Sequence, residues 1–563
     1  MSPNSTAPRP PRRDGLRAVL FPLLCAVALL TATAVPAAGA PPAPPPSAGQ
    51  SATVVQTDHG RVRGVSHGSY ATFVGIPYAA PPTGPLRWRE PAPAAAWQGV
   101  RDATQPAPRC VQMPAPGASA VVGSEDCLYL NVTAPTRNPA GKKRPVLVWM
   151  HGGAFLGGSG ADYSAERLAV RGDTVVVTVN YRLGVFGYFG HPGLGSAPPF
   201  GLTDQQAALR WVQENAKGFG GDPRNVTLFG ESAGALSICA HLTSPTAAGL
   251  FQRAVLQSGS CLTSFPPGAL GPGTPAYEPF AAEADVQTAG AEAARQLGCT
   301  TGGGDEVLAC LRGQGTDRLA TAQLMQSFNR PAFGNALLPV APGQALASGR
   351  FHRLPVILGT NHDEMRMFVG LSLAAFPIRT EDDYRARLVD AFGSAAPAVE
   401  AQYPAEDHPT PALAWAAALT DRSFTCTTLA AGRAIAVRAP GLPLFGYEFS
   451  DPDAPVLAGL PADPGFPYGA AHGFEMPFLF SSLPTEHPLT GAQLALSDRM
   501  VDYWTGFART GNPNAAGAPF WPLLHASSSL PRAVQSLAPG PGGVHAVDAY
   551  SAHHCSFWDR MPR

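Results

Sequence analysis

Val226-Thr227-Leu228-Phe229-Gly230-Glu231-Ser232-Ala233-Gly234 joins an apolar run to a stretch of small residues, Ala235 to His241. The first part predicts a buried strand and the second a helix. A serine with glycine two positions away on either side suits a sharp, strained strand-to-helix turn, with its hydroxyl projecting from the backbone. By itself the pentapeptide also fits a loop glycine cluster. The partners it would need therefore have to be sought along the rest of the chain.

Serine at its free pKa is a weak nucleophile, so acyl transfer needs a histidine base, an acid to orient it, and backbone donors for the oxyanion. Pro145 to Met150 reads as a buried strand that ends in His151-Gly152-Gly153-Ala154-Phe155, a glycine-rich loop rich in free amides. Downstream, Leu354 to Gly359 reads as another strand, leading into Thr360-Asn361-His362-Asp363-Glu364. His472 follows in Gly469-Ala-Ala-His-Gly-Phe-Glu-Met-Pro477. The order nucleophile, acid, histidine is one of the arrangements of the serine hydrolases and differs from two others. Spacing alone leaves Asp363 and Glu364 as rival acids. Most of the fourteen histidines, among them His408, His487 and His525, have an ordinary reading as exposed or hydrogen-bonded residues.

These segments resemble the type-B carboxylesterases and lipases, a family that includes the cholinesterases. Phe219-Gly220-Gly221, four residues, and then Val226 to Gly234 match its long serine signature, and Glu125-Asp126-Cys127-Leu128-Tyr129-Leu130-Asn131-Val132 matches a second. Gly75 to Ala79, Asn180-Tyr-Arg-Leu-Gly184, Gln257-Ser-Gly259, Phe507 to Asn514 and Phe557-Trp558 extend the likeness from about residue 53 to the C-terminus. The oxyanion loop looks most like that of bacterial para-nitrobenzyl-esterase-type members. The resemblance implies an α/β-hydrolase fold, with a mostly parallel central sheet, helices on both faces and inserted capping segments. It implies Ser232 as nucleophile, His472 as general base and then acid, and Glu364, the second carboxylate of its pair, as the orienting acid. Gly153, Ala154 and Ala233 become the oxyanion donors. Ser258 and Glu475 match a buried network that would hold His472. Glu231, beside the nucleophile, either carries charge into the site or is a structural carboxylate, and no chemistry is assigned to it.

Length alone would suggest about three domains, but the motifs that must converge run from Gly152 to His472, so residues 53–563 are expected to form a single domain. Runs such as Thr174 to Asn180 followed by Leu202 to Lys217 alternate strand with helix, as a parallel sheet requires. The segment from Thr263 to Arg350 is less strand-like and is expected to cap the pocket. Residues 1–40 read as a secretory signal peptide: Arg9, Arg12, Arg13 and Arg17 precede the apolar run Ala18 to Leu30, and Ala38-Gly39-Ala40 offers a cleavage site. Residues 41–52 are a Pro/Ala-rich lead-in whose composition predicts disorder. Export fits the eight cysteines that remain after Cys25 in the leader. The resemblance pairs Cys110 with Cys127, Cys299 with Cys310, and Cys426 with Cys555. Cys239 and Cys261 are left over, Cys239 as a small buried thiol, with a bridge between them the lesser alternative.

The net charge of −1 and a charged fraction of 14% exclude a nucleic-acid footprint and a polybasic membrane patch. No H-E-x-x-H, paired C-x-x-C or P-loop occurs, so no metal or organic cofactor is expected. The expected protein is a secreted, extracellular monomer without a stable membrane anchor, acting on small-molecule esters. Unlike the cholinesterases it resembles, the chain carries no aromatic residue between Cys110 and Cys127 for a quaternary ammonium, so poor choline selectivity is expected. Uncharged esters of short to medium chain are the expected substrates. The same triad would serve a lipase, lactonase, thioesterase or carbamate hydrolase. A binding member of the family would be expected to lack the nucleophile.

Overall fold

The apolar runs Arg144–Met150 and Val175–Val179 are buried at every position, the pattern of strands covered on both faces. They lie near the middle of a large twisted sheet. A computed structural model describes residues 52–113, 121–137, 141–196, 198–515, 517–525 and 533–561. The leader and nearly all of the lead-in lie outside the described residues, as does part of the loop closed by Cys110 and Cys127.

The strands are β1 (Ala52–Thr57), β2 (Gly60–Ser66), β3 (Tyr70–Pro77), β4 (Val100–Asp102), β5 (Tyr129–Pro135), β6 (Arg144–Met150), β7 (Val175–Val179), β8 (Gly221–Glu231), β9 (Arg253–Gln257), a short pair β10 (Ala281–Ala282) and β11 (Ala332–Phe333), then β12 (Val356–Asn361), β13 (Leu444–Phe449), β14 (Ala533–Leu537) and β15 (Val544–Asp548). The large sheet runs β1-β2-β3-β5-β7-β6-β8-β9-β12-β13-β14-β15, with β4 beside β2. From β7 to β14 all neighbours are parallel, and the strands outside that block pair antiparallel apart from the β2–β4 contact. The α/β-hydrolase expectation therefore holds, with an antiparallel margin at each edge. Helices such as Phe200–Asn215, Ala233–Thr243 and Gly491–Thr510 cover the faces.

Two of the family-like motifs are framework. Glu125 receives Arg87 through both oxygens at 2.6 and 2.7 Å, and Asn131 accepts the Gly75 amide and donates to Thr178. Arg182 grips buried Asp204 bidentately at 2.7 and 2.8 Å. Ends of parallel strands converge where a site is expected in such a sheet: β6 ends at the His151 loop, β8 at Ser232, and β12 just before Glu364.

Four disulfides are formed: Cys110–Cys127, Cys299–Cys310, Cys426–Cys555 and Cys239–Cys261. The fourth corrects the reading of Cys239 as a lone thiol. β8 and β9 are paired neighbours, so the helix leaving β8 runs back alongside the segment that follows β9, and Cys239 comes within 5.4 Å of Cys261 between Cα atoms. That contact depends on sheet order, which the spacing of the two cysteines does not encode.

Candidate active site

Ser232 sits between β8 and the helix Ala233–Thr243 at φ 54° and ψ −120°, a backbone state costly for a non-glycine residue. Its amide donates to the Gln257 carbonyl at 2.9 Å, which ties the turn to β9. The flanking glycines have a packing cause. A Cβ on Gly234 would stand 2.0 Å from the Met150 carbonyl oxygen, and one on Gly230 would stand 2.6 Å from it. Only glycine lets the turn close against the end of β6.

His472 Nδ1 lies 2.6 Å from Glu364 Oε2, and the His472 amide donates to the Glu364 carbonyl. The other Glu364 oxygen accepts the Asn361 amide at 2.8 Å. Asp363, the rival acid, faces away: its carboxylate accepts the Ala470 amide and pairs with Arg366 at 2.8 Å. His472 Nε2 stands 3.0 Å from Glu231 Oε1 without hydrogen-bond alignment, and among the described residues neither atom has a hydrogen-bond partner. Ser232, Glu231 and His472 line one cleft. Among the described residues no hydrogen bond joins Ser232 to His472. Catalytic contacts of this kind often tighten only around substrate. Phe368 and Phe424 pack on the imidazole, with ring centroids at 5.0 and 5.1 Å.

Glu475 is buried and accepts from Asn361 Nδ2 at 2.7 Å and Gln257 Nε2 at 3.1 Å, while Gln257 in turn accepts the indole N–H of Trp504. Asn361 also donates to the Ala471 carbonyl next to His472. Asn361 and Gln257 are thus the residues that hold this network. The sequence reading missed both, although each lies inside a segment it quoted. Ser258 departs from its expected place in that network: among the described residues its buried hydroxyl has no hydrogen-bond partner, and it lines an apolar cleft.

Burial alone would depress the His472 imidazolium, but the carboxylates Glu231, Glu364 and Glu475 outweigh it and push its pKa up to about 9. Burial pushes the Glu231 carboxyl up to about 8, helped by the charges of Glu475 and Glu364 and opposed by His472. The two ionisations are linked. A proton on Glu231 removes the leading charge that lifts His472.

The loop after β6 carries Gly153 at φ 100° and Ala154 at φ 54°, and its turn is closed by the Leu156 and Gly157 amides donating to the Gly153 carbonyl. The Gly153, Ala154 and Ala233 amides take no part in the turn and loop hydrogen bonds of the described backbone. Two clefts meet at Ser232. One is lined by Gly152, Gly153, Glu231, His472 and Met476, and the other by Ala154, Ala233, Phe265, Tyr277, Phe368 and Phe424. The second is almost wholly apolar, and Phe265, Leu270 and Tyr277 bring the segment after Thr263 into its wall, as its expected capping role requires.

A sequence model of the carboxylesterase family matches residues 51–558. The chain belongs to that family. Membership makes it a carboxylic-ester hydrolase of the α/β-hydrolase fold. Its relatives include the fumonisin B1 esterase of Sphingopyxis macrogoltabida, 34% identical over 545 residues that cover 91% of each chain. The para-nitrobenzyl esterase of Bacillus subtilis (strain 168) is 34% identical over 84% of this chain and 92% of its own. The acetylcholinesterase of Bungarus fasciatus is 34% identical over 90% of this chain and 86% of its own. In this carboxylesterase-family chain no described helix is long and apolar enough to cross a membrane.

Proposed function

We propose that the protein is a secreted serine carboxylesterase that hydrolyses uncharged esters of short to medium chain, with Ser232, His472 and Glu364 as its triad. The observation that carries this reading is the imidazole of His472, held by Glu364 at 2.6 Å, sharing one cleft with a serine on a strained strand-to-helix turn. Ser232 Oγ attacks the ester carbonyl carbon while His472 Nε2 takes its proton. The same proton then passes to the departing alcohol, leaving an acyl-enzyme, and water repeats the sequence to release the acid. Glu364 fixes the tautomer and stabilises the imidazolium without taking the proton. The Gly153, Ala154 and Ala233 amides receive the oxyanion. Glu475, anchored by Asn361 and Gln257, keeps the His472 segment in place, and Glu231 adds charge beside Nε2.

The apolar cleft between Ala154 and Phe424 supports an uncharged acyl group, since its wall is mostly apolar and offers no charged side chain to pair with an ion. Residues 53–563 act as one catalytic domain, released from the leader 1–40 during export and stapled by four disulfides. The lack of an aromatic residue between Cys110 and Cys127 favours neutral alcohols over choline. A panel of para-nitrophenyl acetate, butyrate, octanoate and palmitate beside acetylthiocholine tests the substrate range. The highest kcat/KM is expected for butyrate or octanoate. A preference for acetylthiocholine, or for palmitate with activation by lipid droplets, would replace this reading by a choline esterase or a lipase.

A further inference from the structure

A second cluster of chemistry-bearing side chains lies behind the acid strand, away from both clefts at Ser232. His362 follows β12, Glu448 is on β13, and His553 lies in the C-terminal segment two residues before bridged Cys555. His553 Nε2 is 2.6 Å from Glu448 Oε1, and His362 Nδ1 is 3.3 Å from Glu448 Oε2. One donor atom from each of the three residues falls within 4.8 Å of the others. The other nitrogen of His553, Nδ1, is 2.5 Å from Asp421 Oδ1, and the Tyr403 hydroxyl donates to Asp421 Oδ2 at 2.7 Å.

This is the order of parts around a metal-bound histidine: a carboxylate fixes one ring nitrogen as donor and aims the lone pair of the other at the ion. The cluster opens on a cavity of about 530 Å³ that His362 and His553 line together with Asp363, Arg366, Tyr403 and Asp421. Three protein donors with one open side are what a four-coordinate ion needs when its last ligand is water. Two imidazoles and one carboxylate select a borderline divalent ion over the hard cations, which take oxygen sets. We propose that His362, Glu448 and His553 bind a zinc-class divalent cation, with Asp421 orienting His553. The ion takes no part in ester cleavage. It ties the C-terminal segment to His362, just past the end of β12 and two residues before Glu364. The arrangement that competes with it is a proton shared between His553 and Glu448.

The test uses the full disulfide-intact chain, stripped with a chelator and dialysed, then titrated with zinc in excess magnesium by calorimetry, with bound zinc measured by elemental analysis. One zinc per chain at micromolar or lower concentration is expected. His362 is half exposed, so His362→Ala retains the fold, and it should weaken binding at least about tenfold, the least that losing even an outer partner of a metal site costs. Glu448→Gln, checked for folding by circular dichroism, should do the same, and His487→Ala at a distant exposed site should change nothing. Absence of stoichiometric zinc in the wild-type chain, or unchanged affinity in His362→Ala, would overturn the assignment in favour of the shared proton.

Discussion

His472 is crowded by Glu231, Glu364 and Glu475, yet only Glu364 holds it by a hydrogen bond. Glu364→Gln should therefore lower kcat by roughly 10³- to 10⁴-fold, as expected when the orienting carboxylate of a triad is lost. Asp363→Asn, which touches Ala470 and Arg366 instead, should keep most of the activity. The opposite ranking in steady-state assays would reassign the acid. Glu231 acts through charge. Its carboxylate leads the influences that raise His472, and the base works only when neutral, so activity rises with pH as the imidazole loses its proton. Glu231→Gln removes that charge, and the acidic limb of kcat/KM should move to lower pH. A limb that stays or moves upward would contradict the electrostatic account. At this scale Ser232 and His472 stood out in the sequence by their motifs, while Glu364 was separated from Asp363 only by the family resemblance. Asn361 and Gln257 did not stand out, because their importance lies in reaching Glu475 across two strands.

At the scale of elements, the turn after β8 is built by exclusion of side chains. Gly234→Ala drives a methyl into the Met150 carbonyl, and the cost should be at least roughly 1–3 kcal/mol of stability, the usual range for overpacking. Displacement of Ser232 should also depress turnover, and denaturant titration alongside kinetics would separate the two effects. A variant of native stability and rate would contradict the packing argument. Arg182 and Asp204 are both buried, so Asp204→Ala leaves an uncompensated guanidinium, and roughly 3–5 kcal/mol should be lost in denaturant unfolding. Four of the parallel strands, β6, β7, β8 and β12, were readable from apolar runs, and β6, β7 and the helix Phe200–Asn215 fall within two residues of expectation, whereas β9, β13 and β14 were not picked out. The antiparallel margin was not readable, since β1 to β4 carry partly exposed, mixed patterns.

Across the whole molecule, residues from Gly152 to His472 meet in one place only because six parallel pairings bring distant segments side by side. Sheet order also makes the Cys239–Cys261 bridge, the pair that the family resemblance had left over. The Cys426–Cys555 bridge spans 129 residues and fastens the C-terminal segment beside the acid strand. Replacing both cysteines by serine should lower unfolding free energy by roughly 2–4 kcal/mol, with the site chemistry retained while the fold persists. Active chain, nucleophile and cleft are joined most directly by one measurement. The mature protein and Ser232→Ala are compared for para-nitrophenyl butyrate hydrolysis and for covalent labelling by an organophosphonate, with the adduct located by peptide mass. The account predicts a single adduct on Ser232 and a loss of turnover of roughly 10⁴-fold or more in the variant, because triad members act as a unit. A folded Ser232→Ala protein that still hydrolyses the ester at near the wild-type rate, or an adduct on another residue, would contradict it.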